Sequence, residues 1–197
     1  MKGNRALTAP EAKAVAGNFV GPAAPRNRGL FVLGLCAGGR ISELLALKIG
    51  DVWKDDKPAT DLTFRKENTK GKQAGRSVPL NRAAQRAIRE LLAWHRETFS
   101  FIDPARALFA TQHGGPITRQ TAHRIIRAAV EAAGVTGRIA THTMRKTYAQ
   151  AIYRETDIYC TKEMLGHARL ATTRDYLSID YNRIRTASES MGDTYNV

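Results

Sequence analysis

Five short segments of this 197-residue chain hold residue types that can act on a phosphate ester. In Gly38-Gly39-Arg40-Ile41-Ser42-Glu43-Leu44 an arginine stands just ahead of a helix start. There its guanidinium and free backbone N–H groups can face one phosphate. Glu43 can steady that guanidinium, although an ordinary surface Arg–Glu pair looks the same in isolation. Asn68-Thr69-Lys70-Gly71-Lys72 puts lysines on a turn, where an ammonium can protonate a leaving oxygen; most loop lysines are simply solvated. In Thr141-His142-Thr143-Met144-Arg145, His142 and Arg145 are three apart and share one face of a helix. In Met164-Leu165-Gly166-His167 the glycine can end a helix in the left-handed conformation and leave His167 on the turn. Ala171-Thr172-Thr173-Arg174-Asp175-Tyr176-Leu177 sets Tyr176 nine residues past His167. A tyrosine alone is usually a packed amphipathic residue. In the company of the other four segments its hydroxyl is a candidate nucleophile.

The elements that must position these residues are mostly helical. Thr8-Ala9-Pro10-Glu11 has the form of a capping box, and its helix ends near Gly17-Asn18. A second helix is expected over about residues 26 to 37, with Leu30, Phe31, Leu33 and Leu35 as its apolar cluster, stopping at Gly38-Gly39. Ser42 to Leu47 reads as a short capped helix. Residues 50 to 80 change character: Thr60 to Arg65 and Arg76 to Leu80 are β-type runs around a basic, glycine-containing stretch, which predicts a β-hairpin with a long basic tip. Apolar positions 84, 87, 88, 91 and 92 recur at helical spacing from Asn81 to about residue 97. Residues 101 to 115 read as loop. Thr118 caps a helix with Ala122, Ile125, Ile126, Ala129 and Val130 on one face. Two or three further helices are expected over residues 142 to 185, and the residues from about 181 to 197 read as a polar, frayed or partner-dependent tail. The expected fold class is mainly α with a small β-hairpin (α+β).

Bulk composition agrees with a folded domain that meets a polyanion. Hydrophobic residues make up 43%, so a core can be buried, and 31 Lys and Arg against 18 Asp and Glu leave a net charge of +13. Nucleic acid is the commonest partner of such a chain. Arg65, Lys66, Lys72 and Arg76 about the hairpin, with Arg119 and Arg124 on the central helix, are the candidate DNA contacts. Cys36 and Cys160 form neither a disulfide framework nor a zinc pattern, and Cys36 reads as a buried thiol. No metal-ligand cluster, phosphate-binding glycine loop, signal peptide or membrane-spanning run is evident. The expectation is a cytoplasmic protein without a cofactor.

In this order and with these spacings, the five segments resemble the tyrosine recombinase (phage integrase) family. That family's pattern is G-x-R-x-S-E-L, a lysine on a β-hairpin, H-x-x-R, L-G-H and T-T-x-x-Y. The match runs from Leu7-Thr8 to about Ile179. The resemblance implies a catalytic set of Arg40, Lys70, His142, Arg145, His167 and Tyr176, with Glu43 in support and Lys72 as a rival to Lys70. It implies a site-specific recombinase or integrase that cuts and rejoins DNA through a 3′-phosphotyrosyl intermediate, without metal or nucleotide. Within that chemistry the arginines and His167 would donate to the phosphate, and His142 would assist proton transfer. A type IB topoisomerase-like relaxing enzyme and a catalytically silent DNA-binding relative are the alternatives. Assembly into a tetramer on double-stranded DNA is likewise implied, with a monomer possible off DNA. Lys146 and Gly39 depart from the pattern, the first where many members have a histidine and the second where an aliphatic residue is common. Residues 1–197 are expected to form a single catalytic domain, with no N-terminal core-binding domain in this chain.

Overall fold

Thr8 opens α1 (Ala9–Gly17): its hydroxyl accepts from the Glu11 N–H at 3.4 Å, and the Glu11 carboxylate accepts from the Thr8 N–H at 2.8 Å. These two bonds satisfy donors that the first helical turn leaves free. Arg5 forks onto the same carboxylate at 2.8 and 2.6 Å and donates to Thr136 O at 2.6 Å. The start of the chain is thereby pinned beside the later helices. The computed structural model describes residues 4–65, 75–177 and 181–195.

The centre of the molecule is α2 (Ala24–Ala37), which packs against α5 (Arg82–Phe99) and α7 (Thr141–Glu155). Leu30, Phe31 and Leu33 are completely buried there, as are Ile88, Leu91 and Leu92 of α5. The Asn81 side chain caps α5, accepting from the Ala84 N–H at 3.0 Å. Thr118 does the same for α6 (Arg119–Ala132), where Ala122, Ile126, Ala129 and Val130 face the core. Two short helices, α3 (Ile41–Leu45) and α4 (Ile49–Val52), follow α2.

The expected hairpin is present as β3 (Asp61–Phe64) paired antiparallel with β4 (Arg76–Pro79), Leu62 opposite Val78 and Phe64 opposite Arg76. The tip, with Lys66, Lys70 and Lys72, lies outside the described residues. A second, smaller hairpin precedes it: β1 (Trp53–Lys54) pairs with β2 (Lys57–Pro58). Its turn residues, Asp55 and Asp56, take φ of 49° and 54°. This is the left-handed pair that a two-residue hairpin loop requires and that Asp tolerates. The sequence reading merged these strands with their neighbour because each is only two residues long.

The chain then runs through α8 (Ile158–Leu165) and α9 (Leu170–Arg174) to α10 (Tyr181–Tyr195). The tail expected to fray is therefore largely helical. Composition alone reads it as tail because its few large apolar residues are scattered among polar ones; Tyr181, Ile184 and Met191 are 74%, 56% and 61% exposed. Among the described residues no helix is long and apolar enough to cross a membrane.

Candidate active site

Two helices stop at left-handed glycines, and their ends meet. Gly38 closes α2 with φ 60° and Gly166 closes α8 with φ 64°, a conformation that costs other L-residues about 1–2 kcal/mol. The unpaired carbonyls at both ends point to one side chain. Arg145, 1% exposed, donates from Nη1 to Gly38 O at 2.6 Å and from Nη2 to Leu165 O at 2.6 Å. A cation is favoured there because both helices present the negative ends of their dipoles. Arg145 sits one turn after His142 on α7, so the predicted sharing of a face is how the helix delivers both to one place.

Glu43 lies beneath this guanidinium, completely buried. Its carboxylate accepts from the Arg40 backbone N–H at 2.8 Å, from Arg40 Nη1 at 2.7 Å and from Arg76 Nη2 at 2.7 Å, with Arg145 Nη1 4.0 Å away. Burial alone would raise the Glu43 pKa; the bonds and field of Arg76, with those of Arg40, outweigh it and hold the group below its ordinary value. Burial, then the fields of Arg40 and Arg76, lower Arg145 to about 10, which leaves it charged at neutral pH. Gly39 gives the arginine segment room: a Cβ there would meet the Phe64 ring at 2.7 Å, so the aliphatic residue common at this position does not fit.

His167 follows the Gly166 turn and is 4% exposed. Its Nε2 lies 3.0 Å from Arg145 Nη2 and its Nδ1 3.0 Å from Thr173 Oγ1. A guanidinium has no acceptor, so Nε2 must present its lone pair and the ring proton must sit on Nδ1, donating to Thr173. Burial, then Arg145, Arg40 and Arg76, push its pKa down to about 3, in keeping with that neutral tautomer. Both ring nitrogens are thus engaged within the protein, and a third donor to a phosphate, as the sequence suggested, is not on offer in this arrangement. His142 stands exposed at the rim. The protein wall behind it and the charges of Arg145, Lys146 and Arg40 lower its pKa.

Tyr176 is half-buried between the two imidazoles. Its ring centre is 5.0 Å from that of His142 and 5.0 Å from that of His167, and the Arg145 guanidinium carbon is 5.9 Å from the ring centre. These residues line an open cleft of about 800 Å³ together with Arg40, Ser42, Arg119 and Thr172. The arrangement offers a phenol hydroxyl and fixed cations to one anionic group. The Arg145 Nε–H, buried and without a partner among the described residues, is a donor not spent on the protein.

Of the residues read from sequence, the fold brings Arg40, His142, Arg145, His167, Tyr176 and Arg119 to this cleft, with Glu43 behind it. Arg65 stands apart, exposed and paired with Asp51 at 2.8 Å. Arg124 is exposed farther along α6. Arg76 departs from its expected place among the DNA contacts: it is 7% exposed on the side chain and bound to Glu43. Strand alternation carried that signal, since Arg76 shares the face of buried Val78. Thr173, completely buried against His167, stands in the T-T-x-x-Y segment, but the sequence gives it no role because its partner His167 lies on a separate turn.

Comparison with known proteins points the same way. The tyrosine recombinase XerD of Corynebacterium glutamicum is 35% identical over 161 residues, 81% of this chain and 50% of that protein. XerD of Mycobacterium leprae is 33% identical over 170 residues, 84% of this chain and 52% of its own length. The chain therefore spans about half the length of the curated relatives it matches. Its fold is shared with a crystal structure of XerA recombinase, at TM-score 0.73 and 23% identity over 100% of this chain and 67% of that one. It is shared too with XerH site-specific recombinase bound to its difH substrate, at TM-score 0.72 and 24% identity over 95% and 55%. The model of the family described as "Phage integrase family" matches residues 5–183, the stretch that carries every group of the cleft, and the chain belongs to that family.

Proposed function

We propose that this chain is the catalytic domain of a site-specific DNA recombinase, cutting and rejoining strands through Tyr176. The observation that carries the reading is the placement of the Tyr176 ring between His142 and His167, beside the guanidinium of Arg145 and in a cleft that Arg40 also lines. Tyr176 Oη attacks phosphorus, the bond to the 5′ oxygen breaks, and a 3′-phosphotyrosyl link forms. Arg40 and Arg145 stabilise charge on the non-bridging oxygens. His142 takes part in proton transfer at the tyrosine side. Lys70, or Lys72, protonates the leaving 5′ oxygen; both lie outside the described residues. The covalent link conserves the energy of the broken bond, so a 5′-hydroxyl from another strand can attack it and release Tyr176.

Double-stranded DNA is the proposed substrate, in accord with the net charge of +13. Arg119 at the cleft, with Arg65 and Arg124 on the surface, are proposed phosphate contacts. A tetramer on DNA is the proposed working form. The stripe of Tyr181, Ile184 and Met191 on α10 is the surface offered to a neighbouring copy, being apolar, exposed and on one helix face. The test is incubation with a nicked duplex from the flanking genomic DNA, read on a denaturing gel. Wild type should form a covalent adduct and Tyr176→Phe none; an adduct that survives the substitution overturns the assignment. Relaxation of plasmid without site preference would instead favour a topoisomerase.

A further inference from the structure

We infer that Arg76 is a positioning residue of this site, setting Arg40 through Glu43 and setting Arg145 and His167 through the end of α8. The kinetic consequence rests on the strand-cleavage reading; the structural one rests on geometry alone. Arg76 opens β4 and turns inward. Its Nη2 donates to Glu43 Oε2 at 2.7 Å and its Nε to Met164 O at 3.0 Å. The guanidinium carbon lies 4.3 Å over the Phe64 ring, and Cδ crosses Gly166, where an added Cβ would meet it at 3.0 Å. One planar fork thus spans two partners in fixed directions, which a single ammonium cannot do.

Each partner leads to the cleft. The Glu43 carboxylate, turned by Arg76 at one oxygen, offers the other to Arg40 Nη1 at 2.7 Å. Met164 O belongs to the same turn as Leu165 O, which accepts from Arg145. Gly166 and His167 follow at once. Arg76 therefore ties the strand pair, the acid beneath the arginines and the histidine turn into one register. A shift of about 1 Å in such groups costs roughly 100-fold in rate.

The test separates this role from the DNA contact that the sequence suggested. The full chain, Arg76→Lys and Arg76→Met are compared for affinity toward the nicked duplex, the salt dependence of that affinity, and adduct formation at saturating DNA. Hydrogen exchange of the Gly166 and His167 amides is followed without DNA. Positioning predicts affinity within about twofold of wild type and an unchanged salt slope. Adduct formation should fall roughly 100-fold in Arg76→Met and at least about tenfold in Arg76→Lys, with faster exchange at both amides. If Arg76→Met does not fold, Arg76→Lys carries the comparison. Weaker binding, a salt slope reduced by about one and normal cleavage at saturation would make Arg76 a phosphate contact and overturn the inference. So would wild-type cleavage and wild-type exchange in both variants. If wild type itself forms no adduct, the strand-cleavage reading fails and amide exchange alone decides the role of Arg76.

Discussion

The side of α2 that faces α5 and the end of α2 that meets α7 and α8 are built on opposite principles. Along α2 the buried residues are Leu30, Phe31 and Leu33, with Leu91 and Leu92 on α5, held by volume and exclusion of water. At the other end Glu43, Arg76, Arg145, His167 and Thr173 are also buried, yet each is held by directed bonds. An apolar contact can shift slightly at small cost, whereas a buried charge that loses its partner costs several kcal/mol. One side of α2 therefore holds the fold, and the other spends polar groups on aim.

The contrast can be broken most visibly on the apolar side. Phe31→Ala should cost about 3–5 kcal/mol of stability by opening a cavity next to Phe19. Cleavage per folded molecule should stay near wild type, measured by denaturant unfolding alongside the adduct assay. A rate lost in proportion to neither stability nor folded fraction would mean the two sides are mechanically coupled.

Thr173→Val probes the other side with a smaller change. It should cost about 1–3 kcal/mol by leaving the His167 Nδ1–H unsatisfied, and slow adduct formation about tenfold through a misaimed Arg145. Thr173→Ser should restore both. Two-dimensional ¹⁵N–¹H spectra would show the Nδ1–H tautomer of His167 in wild type; the opposite tautomer would remove the basis of this prediction.

The mildest probe is acid. His167 is held near pKa 3, below the ordinary value for a free histidine. Its neutral form is the one the fold binds, so its stabilisation is complete above about pH 6.5 and declines as pH falls toward 3. Glu43, whose pKa is also lowered, adds loss only at lower pH, in the carboxylate range. Between pH 6.5 and 5, His167 should contribute a fall of up to about 1.4 kcal/mol per pH unit. Its replacement by Gln should flatten the stability curve by that amount, and an unchanged slope would assign the acid sensitivity elsewhere, with buried His95 the next candidate.

What could be read from the sequence was local or ordered along it. The caps at Thr8 and Thr118, the helix start at Asn81, the glycine end at Gly166 and the apolar faces of α5 and α6 all depend on neighbours within a turn or two. The order of the motif residues survives folding, so the cleft groups could be named in advance. What escaped depends on meetings across the chain. The inward turn of Arg76 needs Glu43, 33 residues away, and Met164, 88 away. The tautomer of His167 needs Arg145 at the other nitrogen. The tail reads as polar because Tyr181, Ile184 and Met191, though on one face of α10, are sparse among polar residues.

The two carbonyls on Arg145 also set a schedule. Gly38 is 107 residues from it in sequence and Leu165 is 20 away on the other side. Of the two, the contact to Gly38 closes the longer loop and carries the larger loop entropy. A nascent chain that has made α7 but not α8 contains Arg40, His142 and Arg145 without the turn that aims them. Arg145 is then aimed only once both helix ends are in place.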